Sequence, residues 1–352
     1  AIAAMQNLPD FYTDQNGLHQ PQGAIVAMNP HNGYIVAMVG GRGNDSFNRA
    51  TQAERQPGSA MKPFVYLAAI QSGKTPGSIV DDSPVDFNGW RPQNYEKDFE
   101  GPMTYRYALQ HSRNVAAVKI ADDTGMRKIL NLAKDMGITT LTDKDNNLST
   151  ALGGLTHGVT PLEMVEAYGV LANGGIKVQP TAIVKIVDRN GQIVEENSIQ
   201  EKRVVDEKDA AIITNMLESV ISGGTGGNAS IGRPAAGKTG TTYDSKDAWF
   251  VGYTPDLVAA VWVGDDYGSE TLHGITGGTT PAIMWGQFMA SALANTPASD
   301  FVVPASAESI ISEGYHNPIP SPPKTEVIED IPQDTKDTKN TDTNDTIKED
   351  DT

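Results

Sequence analysis

Three short groups of residues combine a nucleophile, cations and hydrogen-bonding side chains at fixed spacing. Ser59-Ala60-Met61-Lys62 sets a serine three residues before a lysine. A serine hydroxyl attacks a carbonyl only once a base takes its proton. Residues three apart on a helix share a face, which sets Lys62 beside Ser59. Lysine serves as the base when burial or a nearby positive charge lowers its pKa, and Lys238 is a source of such charge. A helix N-terminus at Ser59 also favours developing negative charge. Ser112-Arg113-Asn114 follows. Ser112 suits a proton relay to a leaving amine. Asn114, with both a donor and an acceptor amide, suits holding a peptide backbone. Lys238-Thr239-Gly240-Thr241 comes last. Lys238 and the hydroxyls of Thr239 and Thr241 suit a substrate carboxylate, and Gly240 lets a ligand approach the backbone. Backbone N–H groups of Ser59 and Thr241 suit an oxyanion. The chemistry described is acyl transfer through a serine ester.

The last group has a competing reading. Gly232 to Thr239 also matches G-x-x-x-x-G-K-[ST], a loop that cradles phosphates. Such a loop must join a buried strand to a helix N-terminus. Upstream lies "SGGTGGNASIGRP" and downstream "GTTYDSKDAWFVGYTPD", neither of which fits. The match is read as chance. Taken singly, Ser59 reads as an N-cap, Lys62 as a solvated helix residue, and Ser112 and Asn114 as helix surface; the three groups in order outweigh that. His111 reads as structural. "DKDNN" at 143–147 starts like a calcium loop, but Leu148 stands where the loop needs Gly and Gly154 where it needs Glu. Glu163 and Glu166 read as a polar helix face, and Trp249, Trp262 and Trp285 as core.

The elements that must position these residues follow from periodicity and turns. Ala24–Met28 and Tyr34–Val39 flank Asn32-Gly33, a hairpin signal. A helix is predicted from Ser59 to Gly73, with Pro63 in its first turn. Further helices are predicted over "MTYRYALQHSRNVAAVKIADD", "MRKILNLAKDMG", "TPLEMVEAYGVLANGG" and "DEKDAAIITNMLESVISGG". A second hairpin has Asn190-Gly191 at its tip. "DAWFVGYTPDLVAAVWVGDD" reads as two strands and "PAIMWGQFMASALANT" as a closing helix. The fold class is α+β, an antiparallel sheet with a helical insertion. The Lys-Thr-Gly group belongs on an edge strand.

Composition narrows the function. The chain has 352 residues, no cysteine and a formal net charge of −17. Ten acidic and four basic residues fall within 324–352, and the rest is still acidic, which disfavours nucleic acid as a partner. Lack of cysteine removes thiolate nucleophiles, zinc knuckles and iron–sulfur sites. No pair among the six histidines has metal-ligand spacing, so no metal or cofactor is expected. No apolar run approaches the roughly 18 residues of a membrane helix. The start, Ala1-Ile2-Ala3-Ala4, reads as that of a processed or excised piece.

With these residues in place, the sequence resembles the transpeptidase domain of bifunctional class A penicillin-binding proteins. The likeness extends through "RQPGSAMKPFVYLAAI", "RPQNYEKDFEGPMTYRYALQHSRNVAAVKI", "GGLTHGVTPLEMVEAYGVLANGG", "AAGKTGTTYDSKDAWFVGYTPDLVAAVWVGDD" and "GGTTPAIMWGQFM", roughly residues 23–296. The resemblance implies a penicillin-binding/serine β-lactamase-like fold, with a sheet flanked by helices and a helical lobe. It implies that Ser59 attacks the penultimate D-Ala carbonyl of a peptidoglycan stem peptide, releases D-Ala, and passes the acyl group to a neighbouring stem's amine. β-Lactams then acylate Ser59 stably. It further implies residues 1–22 as the remnant of a connection to an upstream glycosyltransferase domain and 23–300 as the transpeptidase domain; 301–352, outside the resemblance, reads from its Pro- and Asp/Thr-rich composition as a disordered acidic tail. The expected place is the outer face of the bacterial cytoplasmic membrane, held there only by an N-terminal anchor outside this chain. Rival readings are a β-lactamase, which needs a base for deacylating water, a D,D-carboxypeptidase, and a non-catalytic β-lactam sensor.

Overall fold

The structure is a computed structural model, describing residues 1–318 apart from Asn44 and Ser269. Five strands form the sheet that carries the site: β1 (Gln22–Met28), β2 (Ile35–Val39), β3 (Ala236–Thr241), β4 (Asp247–Tyr253) and β5 (Val258–Gly264). The helices used below are α1 (Lys62–Ile70), α2 (Tyr105–Gln110), α3 (Asn114–Thr124), α4 (Met126–Met136), α5 (Pro161–Ala172), α6 (Glu207–Gly223) and α7 (Thr280–Ala292). Every pairing in the sheet is antiparallel, in the order β3-β4-β5-β1-β2. The first and last parts of the chain therefore meet in one sheet, with the helical insertion between them. The Lys-Thr-Gly group lies on β3, an edge, as its strand-like surroundings predict.

Period-two alternation sorts the sheet into two buried faces. Ala24, Val26 and Met28 of β1, with Trp249, Val251 and Tyr253 of β4, face the large core built with α1, α3, α5 and α6. Ile25, Ala27, Phe250, Val261 and Val263 face the other way, against Trp285, Phe288 and Met289 of α7. This second layer also takes in Ala4, Met5 and Leu8, so residues expected to be only a connecting remnant pack on the sheet. All nine residues of α1 are buried, as suits a helix apolar on most sides.

Three boundaries differ from the sequence reading. The helix predicted from Ser59 starts at Lys62; Gly58–Met61 form a tighter 3₁₀ turn. Ser59 is thus no N-cap. The stretch predicted as one helix across Ser112 is two, α2 and α3. Ser112 adopts φ +56° and Arg113 is extended, so helical bonding stops and restarts at Asn114. Lastly, 301–318 is not part of a polar tail. Phe301 and Val303 pack on the core, Ala307 is buried, and Arg106 Nε donates to the Glu313 carbonyl at 2.8 Å. The segment holds enough apolar surface to repay its ordering. The rest of the expected tail lies outside the described residues. Among those described, no helix is long and apolar enough to cross a membrane.

Candidate active site

The 3₁₀ turn does what an α-turn was expected to do. Residues i and i+3 eclipse in such a turn, so Ser59 and Lys62 stack, and the Lys62 N–H donates to the Ser59 carbonyl. The turn is pinned from both sides: Trp249 Nε1 donates to Gln56 O at 2.9 Å and Tyr168 OH to Ala60 O at 2.7 Å. It presses directly on the edge strand. A Cβ on Gly58 would stand 2.5 Å from Thr241 O, and one on Gly240 2.3 Å from Pro57 O. Both glycines are needed for that approach. Gly240 therefore serves the docking of the Ser59 turn, a demand separate from the ligand approach expected for it.

Ser112 joins the three groups. Lys62 Nζ donates to the Ser112 carbonyl at 2.5 Å, to Ser112 Oγ at 3.1 Å and to Asn114 Oδ1 at 2.7 Å. Lys238 Nζ donates to the same Ser112 Oγ at 2.9 Å, and to Thr239 O and Oγ1 at 3.1 and 3.2 Å. One hydroxyl thus bridges two ammonium groups. Both lysines are fully buried. Burial, then the charge of Lys238, hold the Lys62 pKa well below the usual lysine value. Burial lowers Lys238 to about 7. This is the environment a lysine base requires.

Ser59, Ser112, Asn114, Thr239 and Thr241 line one cleft of about 770 Å³. Lys62 and Lys238 lie behind its wall rather than on it. Lys238 Nζ reaches the cleft through Ser112 Oγ and Thr239, which do line it. Thr241 Oγ1 accepts from Gly277 N at 2.9 Å and keeps its proton to donate. Thr242 N bonds across to Asp247 O. By the alternation of an antiparallel ladder the Thr241 N–H points away from β4, toward the Ser59 turn. A Cβ on Gly58 would lie 3.0 Å from Thr241 N, so the Ser59 turn packs directly against this end of the strand.

Sequence reasoning passed over several residues here. Arg113, given no role by its place between Ser112 and Asn114, is 3% exposed and bonds Asp82, itself fully buried. Asn94 bonds both Asp82 and the first N–H groups of α3. Trp249 and Tyr168 anchor the Ser59 turn. These partners lie tens to hundreds of residues apart in the chain, and no local spacing announces them. Glu163 and Glu166 are not a free polar face. Glu163 accepts from the backbone N–H groups of Thr139, Thr140 and Thr160 at 2.8, 3.0 and 2.9 Å, and Glu166 pairs with Lys177 at 3.2 Å.

Residues 23–272 match the family described as the penicillin binding protein transpeptidase domain. Penicillin-binding protein 1A of Aquifex aeolicus is 40% identical over 292 residues, 80% of this chain and 40% of that protein. Penicillin-binding protein 1A of Neisseria gonorrhoeae is 37% identical over 313 residues, 84% of this chain and 38% of that protein. The chain thus spans about two-fifths of the length of the curated relatives it matches. Among solved structures, PonA1 of Mycobacterium tuberculosis in complex with penicillin V is 31% identical with a TM-score of 0.75, covering 86% of this chain and 84% of that one. Penicillin-binding protein 1A of Haemophilus influenzae is 30% identical with a TM-score of 0.76, covering 84% and 52%. With Ser59, Ser112 and the Lys238–Thr241 strand gathered at one cleft of this fold, the chain belongs to the penicillin-binding protein transpeptidase family.

Proposed function

We propose that this domain is an acyl-serine D,D-transpeptidase that cross-links peptidoglycan stem peptides. The observation that carries the reading is the Ser112 hydroxyl shared by two buried lysines, in a cleft that Ser59 also lines. Neutral Lys62 takes the Ser59 proton as Oγ attacks the penultimate D-Ala carbonyl. The oxyanion is held by the N–H groups of Ser59 and Thr241. The proton passes by way of Ser112 to the leaving amine, and D-Ala departs. An incoming stem amine then attacks the ester, gives up its proton along the same route, and frees Ser59. The donor peptide pairs with the open edge of β3 as an added strand, its backbone held by Asn114 and its carboxylate by the Thr239 and Thr241 hydroxyls. A β-lactam enters the same path and stops at the ester; PonA1, 31% identical to this chain, forms a complex with penicillin V. The place of action is the outer face of the cytoplasmic membrane, where the stem peptides are.

Transfer to an amine is favoured over rapid hydrolysis because neither Glu163, taken up by backbone donors, nor Glu166, paired with Lys177, lines the cleft to serve a deacylating water. The test is incubation with a peptide ending in D-Ala-D-Ala and an added amine acceptor. Cross-linked product rising with acceptor concentration supports a transpeptidase. D-Ala release with no amide product, whatever the acceptor, would make the domain a carboxypeptidase.

A further inference from the structure

We propose that Asp82, Asn94 and Arg113 form one positioning unit that sets Ser112 and Asn114 against Lys62. The inference rests on the reading of Ser59 as nucleophile and Lys62 as its base. It starts from a conflict. Ser112 holds φ +56°, a conformation a non-glycine residue adopts only when its surroundings impose it. The surroundings are on the far side of the turn from the lysines. Arg113 Nε and Nη2 both donate to Asp82 Oδ2, at 3.0 and 2.6 Å. Arg113 Nη2 also donates to the Asp98 carbonyl at 3.0 Å. Asn94 Nδ2 bonds both Asp82 oxygens at 3.0 and 2.9 Å.

The Asn94 side chain then turns its Oδ1 to the start of α3, accepting from Asn114 N at 2.8 Å and Val115 N at 3.2 Å. Those N–H groups have no partner inside the helix. Asn94 is thus the side-chain cap of α3, supplied from twenty residues upstream instead of from the adjacent residue. Asn114 Nδ2 donates to Gln93 O at 2.9 Å, which leaves Asn114 Oδ1 facing Lys62 Nζ. Asp82, Asn94 and Arg113 are all at most 3% exposed, so solvent does not compete for these bonds. The unit also anchors the cleft's outer wall, since Gln93 lines it and neighbours Asn94.

Replacing Asn94 by alanine deletes the cap and one arm of the Asp82 bonding without changing any charge. Each of Asp82, Glu96, Arg113 and Lys238 acts on the Lys62 charge, and all four are untouched. Asn94→Ala is therefore expected to slow the acylation step by benzylpenicillin about 10- to 100-fold, while the pH midpoint of acylation stays close to that of the unaltered chain. Met289→Ala, buried on the opposite face of the sheet, serves as a destabilised control and is expected to acylate within about twofold of the unaltered chain wherever it is folded. Acylation of Asn94→Ala within about twofold, or no slower than the control, overturns the proposal. Should Asn94→Ala not fold, Arg113→Lys keeps the buried charge but loses the paired donors; a similar slowing supports the unit and an unchanged rate overturns it. Failure of the unaltered chain to acylate at all would instead refute the reading of Ser59.

Discussion

Two sets of buried cations flank Ser112 and are treated in opposite ways. Lys62 and Lys238 are fully buried, and among the described residues their ammonium groups meet only neutral oxygens. Arg113 is as deeply buried, yet it meets the carboxylates of Asp82, Asp98 and Glu100 at 2.6, 2.9 and 3.1 Å. The difference divides labour. An unpaired buried lysine gives up its proton readily, which costs stability and makes a base. An arginine stays charged and has a planar fork of donors, so it suits fixed geometry. In the proposed mechanism, chemistry falls to the lysines and architecture to the arginine.

That division can be broken by substitution. Lys62→Ala is expected to slow acylation by about 10²–10⁴, measured by stopped-flow with a reporter β-lactam, with unfolding stability equal to or above that of the unaltered chain. Arg113→Leu should do the reverse to stability. It leaves Asp82 buried without its cation and is expected to cost about 3–5 kcal/mol, read as a lower urea midpoint. A large stability loss in Lys62→Ala, or none in Arg113→Leu, would erase the contrast. Ser112→Ala, which removes the hydroxyl common to both lysines, should slow acylation by about 10² and have a smaller effect on the urea midpoint than Arg113→Leu.

The same contrast was unevenly legible in the sequence. Ser59-x-x-Lys62 and Lys238-Thr239-Gly240 are local patterns on a turn and a strand, and their chemistry follows from residue type and spacing. The hairpin at Asn32-Gly33, the two strands around Thr254-Pro255-Asp256 and helix α7 are likewise set by short-range periodicity. The Ser112 turn is not. Its left-handed serine looks helical in sequence because "YALQHSRNVAAV" carries good helix formers, and what breaks the helix is Asn94, which no local signal connects to it. The packing demand on Gly240 was missed for a related reason: its neighbour across space, Pro57, is visible only in the fold. Residues 301–318 looked polar as part of a longer tail, but their few apolar side chains find a surface.

Proton linkage sharpens the comparison more gently. Both lysines have folded-state pKa values below the ordinary 10.5, with Lys238 at about 7. Between that value and 10.5 the unfolded chain binds more protons than the folded one. Stability therefore rises with pH from about 7, and it is lowest on the acid side. The urea midpoint is expected to climb between about pH 7 and 9.5, before tyrosine ionisation near 10 reverses the trend. Lys62→Met should flatten the climb, whereas Arg113→Lys should leave its slope unchanged. The smallest effect is expected for Glu163→Gln. It loosens the start of α5 but leaves the lifetime of the penicillin adduct within about twofold, as measured by mass spectrometry over time.

The central claim is that Ser59 is acylated and that the ester is long-lived. Brief exposure of the chain to benzylpenicillin, followed by intact mass over time and peptide mapping, tests it most directly. The account predicts one adduct of the whole antibiotic's mass, persisting for many minutes, located on Ser59 and absent from Ser59→Ala. An adduct on another residue, an undiminished adduct in Ser59→Ala, or steady consumption of antibiotic with no lasting adduct would contradict it.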